Sequence, residues 1–155
     1  MNITIQKKEA FKVAGINAKN IEPSSCPKVW DELFSKYSPE KLEKLGNGQS
    51  YGICHDMKNT KKINYMACYD VKDIEKAEKM GLEIMEVDTA EYAVVELTGK
   101  IPDSIHAGWK YVFEVFFPEQ GYRHSGKPDF EVYSEGDMYS ETYKMELWVP
   151  IVKEL

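Results

Sequence analysis

The chain has 155 residues, enough for one domain or for two small fused halves that share a core. Its formal net charge of −6 argues against nucleic acid as a direct partner, because that binding draws on Lys and Arg to neutralise phosphates. Three cysteines (Cys26, Cys54, Cys68) without C-x-x-C spacing and three scattered histidines (His55, His106, His124) exclude a recognisable metal or disulfide framework, and no cofactor is implied.

In chain order, the N-terminus has no apolar stretch of the secretory kind, and no window approaches a membrane span, so a cytoplasmic protein with no membrane partner is expected. Phe11 to Ala18 reads as a short strand. Ser24-Ser25-Cys26-Pro27 then opens a helix whose apolar stripe is Val29, Trp30, Leu33, Phe34 and Tyr37, stopped by Ser38-Pro39. Pro39 to Leu45 adds a short helical turn closed by Gly46. Tyr51 to Asp56 and Ile63 to Val71 read as strands joined by the polar turn Met57 to Lys62. Asp73 to Met80 is an amphipathic helical linker capped by Gly81. Tyr92 to Thr98 is the next strand. Asp103 or Ser104 can cap a helix carrying Ile105, Trp109, Val112, Phe113 and Phe116, and Pro118 is expected to end it. Phe130 to Tyr133 and Lys144 to Ile151 form a closing hairpin around Ser134-Glu135-Gly136-Asp137.

An internal repeat organises these elements. Trp30-x-x-x-Phe34 recurs as Trp109-x-x-x-Phe113, 79 positions later, and the same offset carries Tyr51 onto Phe130, Ile53 onto Val132, Met66 onto Met145 and Tyr69 onto Trp148 without a gap. The expected fold is α+β: two pseudo-symmetric βαββ units, an antiparallel-rich sheet and helices on one face. Repeat one spans about 1–71, a linker 72–83 and repeat two about 84–155.

Alternation along the strands sorts the side chains. Met145, Leu147 and Val149, with Met66 and Cys68, are expected under the helices. The other face then collects Tyr65, Tyr69, Tyr92, Tyr133 and Trp148 around Glu146, whose counterpart in the first copy is Ala67. A carboxylate among aromatics is costly to desolvate, so it stays wet, pairs with a base such as Lys144, takes a proton or awaits a cationic ligand. Ring faces attract a cation by about 0.5–2 kcal/mol each, so such a cup suits a flat, positively charged lipophile. Trp30 and Trp109 read as core residues on helical stripes. Tyr92 and Tyr133 are open between strand packing and pocket lining, and the histidines read as surface or turn residues.

The stretches Phe117-Pro118-Glu119-Gln120-Gly121-Tyr122, Lys127-Pro128-Asp129-Phe130-Glu131-Val132-Tyr133 and Glu146-Leu147-Trp148-Val149-Pro150-Ile151 resemble the GyrI-like, or AraC-type, effector-binding domain. Glu91-Tyr92-Ala93-Val94 to Gly99 resembles its central strand. The resemblance implies two βαββ halves with a ligand cleft between them, and an acid in the final E-x-x-x-P strand that contacts cationic effectors. That role falls on Glu146, with Tyr133 and Trp148 matching the pattern aromatics and Tyr92, Tyr65 and Tyr69 completing the expected ligand-binding set. Phe116-Phe117 replaces the usual Trp-Leu before Pro118, which alters the cavity shape. No helix-turn-helix is expected ahead of the domain in a chain of this length. Three functions are implied: a sensor or sequestering module for lipophilic cations, a hydrolase of electrophilic natural products using Glu146, or a protein-binding modulator of the gyrase-inhibitor type. Ligand identity, protein partner and oligomeric state are not readable from these residues.

Overall fold

A computed structural model describes residues 1–55 and 61–154; Asp56 and most of the expected turn Met57 to Lys62 lie outside the described residues. The chain divides into two compact units, Glu9–Thr89 and Met1–Lys8 together with the chain from Ala90 onward. Strand β1 (Ile3–Lys8) therefore opens the sequence but belongs to the C-terminal unit.

The N-terminal unit runs β2 (Phe11–Ile21), a 3-10 turn (Pro23–Ser25), α1 (Cys26–Lys36), α2 (Pro39–Glu43), β3 (Ser50–His55), β4 (Ile63–Asp70), α3 (Ile74–Lys79) and β5 (Glu83–Val87). Its strands lie in the order β5-β2-β4-β3, each pair antiparallel. Val29 and Leu33 of α1 pack with Ala14, Tyr65, Ala67 and Tyr69 of the strands. Leu33 is wholly buried, which is worth roughly 1.5–3 kcal/mol. Pro39 lacks an N–H but sits in the first turn of α2, where none is needed, and Ser38 accepts from the Lys41 N–H at 3.3 Å.

The C-terminal unit contains β6 (Ala90–Thr98), α4 (Asp103–Tyr111), a π-helical turn (Val112–Phe116), α5 (Phe117–Gln120), β7 (Tyr122–His124), β8 (Asp129–Tyr133) and β9 (Lys144–Lys153). Its strand order is β1-β6-β9-β8, again antiparallel, with β7 paired to the far end of β9. Ala93, Val95, Leu97, Met145, Leu147 and Val149 form the core with Ile105 and Val112. Each βαββ repeat thus carries one extra edge strand in the same place, β5 in the first unit and β1 in the second. Neither strand is among the sequence expectations, although Ile3 and Ile5 alternate with Thr4 and Gln6 in β1.

Two helix expectations are corrected. Pro118 does not end the second helix, which continues through Gln120 to Gly121 at φ 73. The wide π turn bonds the Phe117 N–H to the Val112 carbonyl, so Pro118 enters at the start of a fresh helical segment, where its missing N–H costs little. Nor do Asp103 and Ser104 cap α4. Pro102 holds the N-cap position, and the Ser104 hydroxyl is the one buried side-chain oxygen or nitrogen without a partner among the described residues.

The repeat register also needs one correction. Ala14 pairs with Tyr69 and Ala93 pairs with Val149, so the first strands are 79 apart but the last strands are 80 apart. Likewise Tyr51 faces Cys68, whereas Phe130 faces Trp148. The second hairpin loop holds one residue more than the first, which a gapless comparison hides. A one-residue slip sends every side chain of a strand to the opposite face. Tyr65, Ala67 and Tyr69, not Met66 and Cys68, therefore lie under α1, and the true counterpart of Glu146 is Met66 rather than Ala67.

Candidate functional site

In the C-terminal unit, strand partners define which side chains share a face. Glu131 is opposite Leu147 and Tyr133 opposite Met145, both core residues under the helix. Asp129, Glu131 and Tyr133 thus line up on the helix-covered face of β8, and Tyr133 packs against that core. The Tyr133 hydroxyl donates a hydrogen bond to the Glu131 carboxyl. The Glu131 residue keeps part of its surface exposed, but its carboxyl is buried. Burial pushes its proton affinity up to about 7; the Tyr133 hydrogen bond opposes this, and the nearby Asp129 charge adds to it.

Beside this pair, Gly121 turns the chain out of α5 and β7 delivers His124 to the start of β8. His124 Nε2 lies 3.1 Å from Asp129 Oδ2, and its Nδ1 accepts the Gly126 N–H at 2.9 Å. The His124 ring stacks on Trp109 of α4, with centroids 6.4 Å apart and planes 20° apart. Trp109 in turn stacks on Phe113 at 5.6 Å. One face of the unit therefore gathers two carboxyls, a phenol and a run of rings. Such a group can hold an organic cation by charge and ring faces, or move a proton near neutrality.

The opposite face of the same strands carries Glu146 and Trp148. Trp148 Nε1 donates to Glu146 Oε1 at 3.0 Å, and Lys8 Nζ lies 5.8 Å above the Trp148 ring. Glu146 is half-buried and stands directly across from Glu96. Tyr92, Phe130 and Trp148 pack edge-on or stacked, with centroids 5.2 to 5.5 Å apart. Tyr92 and Phe130 are wholly enclosed.

The model of the family described as the GyrI-like small molecule binding domain matches residues 1–152. The chain belongs to this family. No protein of curated function matches the sequence. Among solved structures, the GyrI-like chain is similar to SAV2435, solved bound to tetraphenylphosphonium, at 21% identity and TM-score 0.82, covering 98% of this chain and 94% of that one. It is also similar to the EcmrR C-terminal domain, at 17% identity and TM-score 0.72, with 98% of each chain covered. A hydrolase from Listeria innocua follows at 13% identity and TM-score 0.62, covering 97% of this chain and 91% of that one. At these identities the likeness establishes the fold.

Within this GyrI-like domain the expected ligand-binding residues divide into three groups. Glu146, Trp148 and Tyr92 do come together, though as hydrogen-bonded and tightly packed neighbours. Tyr133 is not with them: it lies on the helix face beside Glu131, because its strand partner is Met145. Tyr65 and Tyr69 lie on the helix face of the N-terminal unit, where Trp30 Nε1 donates to the Tyr65 hydroxyl at 2.8 Å and the Trp30 ring meets Tyr69 edge-on at 6.4 Å. Sequence reasoning omits Trp109, His124 and Glu131 from the site. One signal was available for Glu131: at the offset of 79 its counterpart is Gly52, so it breaks the repeat symmetry within the family-like stretch.

Proposed function

We propose that this domain binds a lipophilic, singly charged organic cation on the helix face of its C-terminal unit, as a sensor or sequestering module. Glu131 is the counter-charge, and Tyr133 and Trp109 offer ring surface. The observation that carries this reading is the Glu131 carboxyl itself, buried on the helix-covered face across from Leu147, hydrogen-bonded by Tyr133 and holding its proton up to about pH 7. Among the described residues no cation pairs with Glu131, so it is costly as a carboxylate, and a ligand cation relieves that cost. The family's description and a neighbour solved with tetraphenylphosphonium support the ligand class. Glu146 remains the second acid of the reading: it stands with Trp148 on the other face, so the two positions are separable by mutation.

The deciding experiment titrates tetraphenylphosphonium and neutral triphenylphosphine oxide into wild type, Glu131→Gln and Glu146→Gln, by calorimetry. Loss of the cation by about tenfold or more in Glu131→Gln, with the neutral compound little changed, is expected. The same pattern in Glu146→Gln instead would move the site to the other face. Equal losses for charged and neutral compounds in both variants would sink charge recognition.

A second reading rests on the same pair. A carboxyl with proton affinity near neutrality, bonded to a phenol, suits acid–base hydrolysis of an electrophilic small molecule, in the manner of an enzyme. Under that reading Glu131→Gln abolishes turnover while leaving a neutral substrate bound.

A further inference from the structure

His124 is held by two hydrogen bonds of opposite sense. Gly126 donates its N–H to Nδ1, so Nδ1 carries the lone pair and Nε2 carries the proton that points to Asp129 Oδ2. A proton on Nδ1 would face the Gly126 N–H. The bonds lock both the tautomer and the rotation of the ring. The ring runs nearly parallel to Trp109, offset with centroids 6.4 Å apart, and Trp109 continues through its stack to Phe113, itself about half exposed. Asp129, at the inner end of this array, is two positions before Glu131 on the same face of β8.

We infer that His124 is a positioning residue: pinned between Gly126 and Asp129, it fixes the plane of Trp109 and makes Trp109 and Phe113 a wall that selects aryl-substituted over alkyl-substituted cations. The inference rests on the cation-binding reading above. Charge alone does not distinguish two phosphonium ions of equal charge, whereas a fixed ring plane rewards a flat aryl group through stacking. A ring free to turn would offer an average surface and lose that preference.

The test compares affinities for tetraphenylphosphonium and tetrabutylphosphonium in wild type and variants. His124→Ala and Asp129→Ala are expected to lower the aryl-to-alkyl affinity ratio about three- to tenfold. Asp129→Asn keeps an acceptor oxygen for Nε2–H, so it should weaken both cations alike and retain the ratio. Glu131→Gln should also weaken both alike; if it weakens neither, the cation site at Glu131 fails, whatever His124 does. If Glu131→Gln weakens both but the ratio is unchanged in His124→Ala, the positioning role is overturned and the cation reading stands. Nitrogen-15 shifts of His124 in the unsubstituted protein give a measurement that needs no variant to fold. They should report a single Nε2–H tautomer, and an Nδ1–H tautomer or a mixture would overturn the proposal.

Discussion

The hydroxyl of Tyr133 donates a hydrogen bond to the carboxyl of Glu131, two positions earlier on the same face of strand β8. This bond favours the charged acid, but burial and Asp129 outweigh it, so Glu131 keeps its proton up to about pH 7 instead of the ordinary 4.5. The folded state then binds more protons than the unfolded state between those values. Stability falls as pH rises through that window, and the full penalty is present above it.

Glu131→Gln removes that penalty. The stability of the variant relative to wild type should rise between about pH 4.5 and 7 and level off above, by on the order of 3 kcal/mol at most. Urea unfolding from pH 4 to 8 measures this. A difference that does not change with pH would contradict the account.

Ligand binding should show the same linkage from the other side. A bound cation favours the carboxylate, so affinity for tetraphenylphosphonium should increase as pH rises towards 7, with a proton released on binding below that point. Calorimetry in buffers of different ionisation heat counts the protons.

Trp30→Phe keeps a ring but removes the indole N–H that bonds the Tyr65 hydroxyl. The expected cost is about 1 kcal/mol, read as a lowered denaturation midpoint with unchanged slope.

Two glycines separate a rigid close approach from a forgiving one. A Cβ on Gly15 would stand 2.0 Å from the Ala67 carbonyl oxygen on the paired strand, where only backbone movement could relieve it. A Cβ on Gly108 would meet the end of the Leu97 side chain at 2.7 Å, and that side chain can turn. Gly15→Ala should cost more than about 3 kcal/mol, whereas Gly108→Ala, aided by the helix preference of Ala, should stay within about 1 kcal/mol of wild type. Similar thermal shifts for both would refute the distinction.

Ser104→Ala removes the buried hydroxyl that lacks a partner among the described residues and places a good helix former in α4. A rise in melting temperature equivalent to about 1 kcal/mol is expected.

Local patterning determined much of this protein. The apolar stripe of Val29 and Leu33, the punctuation at Ser38-Pro39 and Gly81, the duplicated Trp-x-x-x-Phe helices and the family-like stretch from Pro128 to Tyr133 all depend on neighbours a few residues apart, and side-chain period and turn chemistry act at that range. Only the tertiary structure decided which strand face each aromatic occupies. One extra residue in the second hairpin loop leaves the spacing within every element untouched, yet it reverses the faces of Tyr65 and Tyr69 relative to the gapless repeat. Pairing with Met145 rather than with a residue of the other face took Tyr133 away from Glu146 and set it beside Glu131. Register is a relation between strands distant in sequence, fixed by hydrogen-bond ladders and burial of one face against a helix, so no single strand carries it. The helices and the inner strands were therefore legible along the chain, whereas the edge strands β1 and β5 and the position of the buried acid were settled by pairing across the sheet.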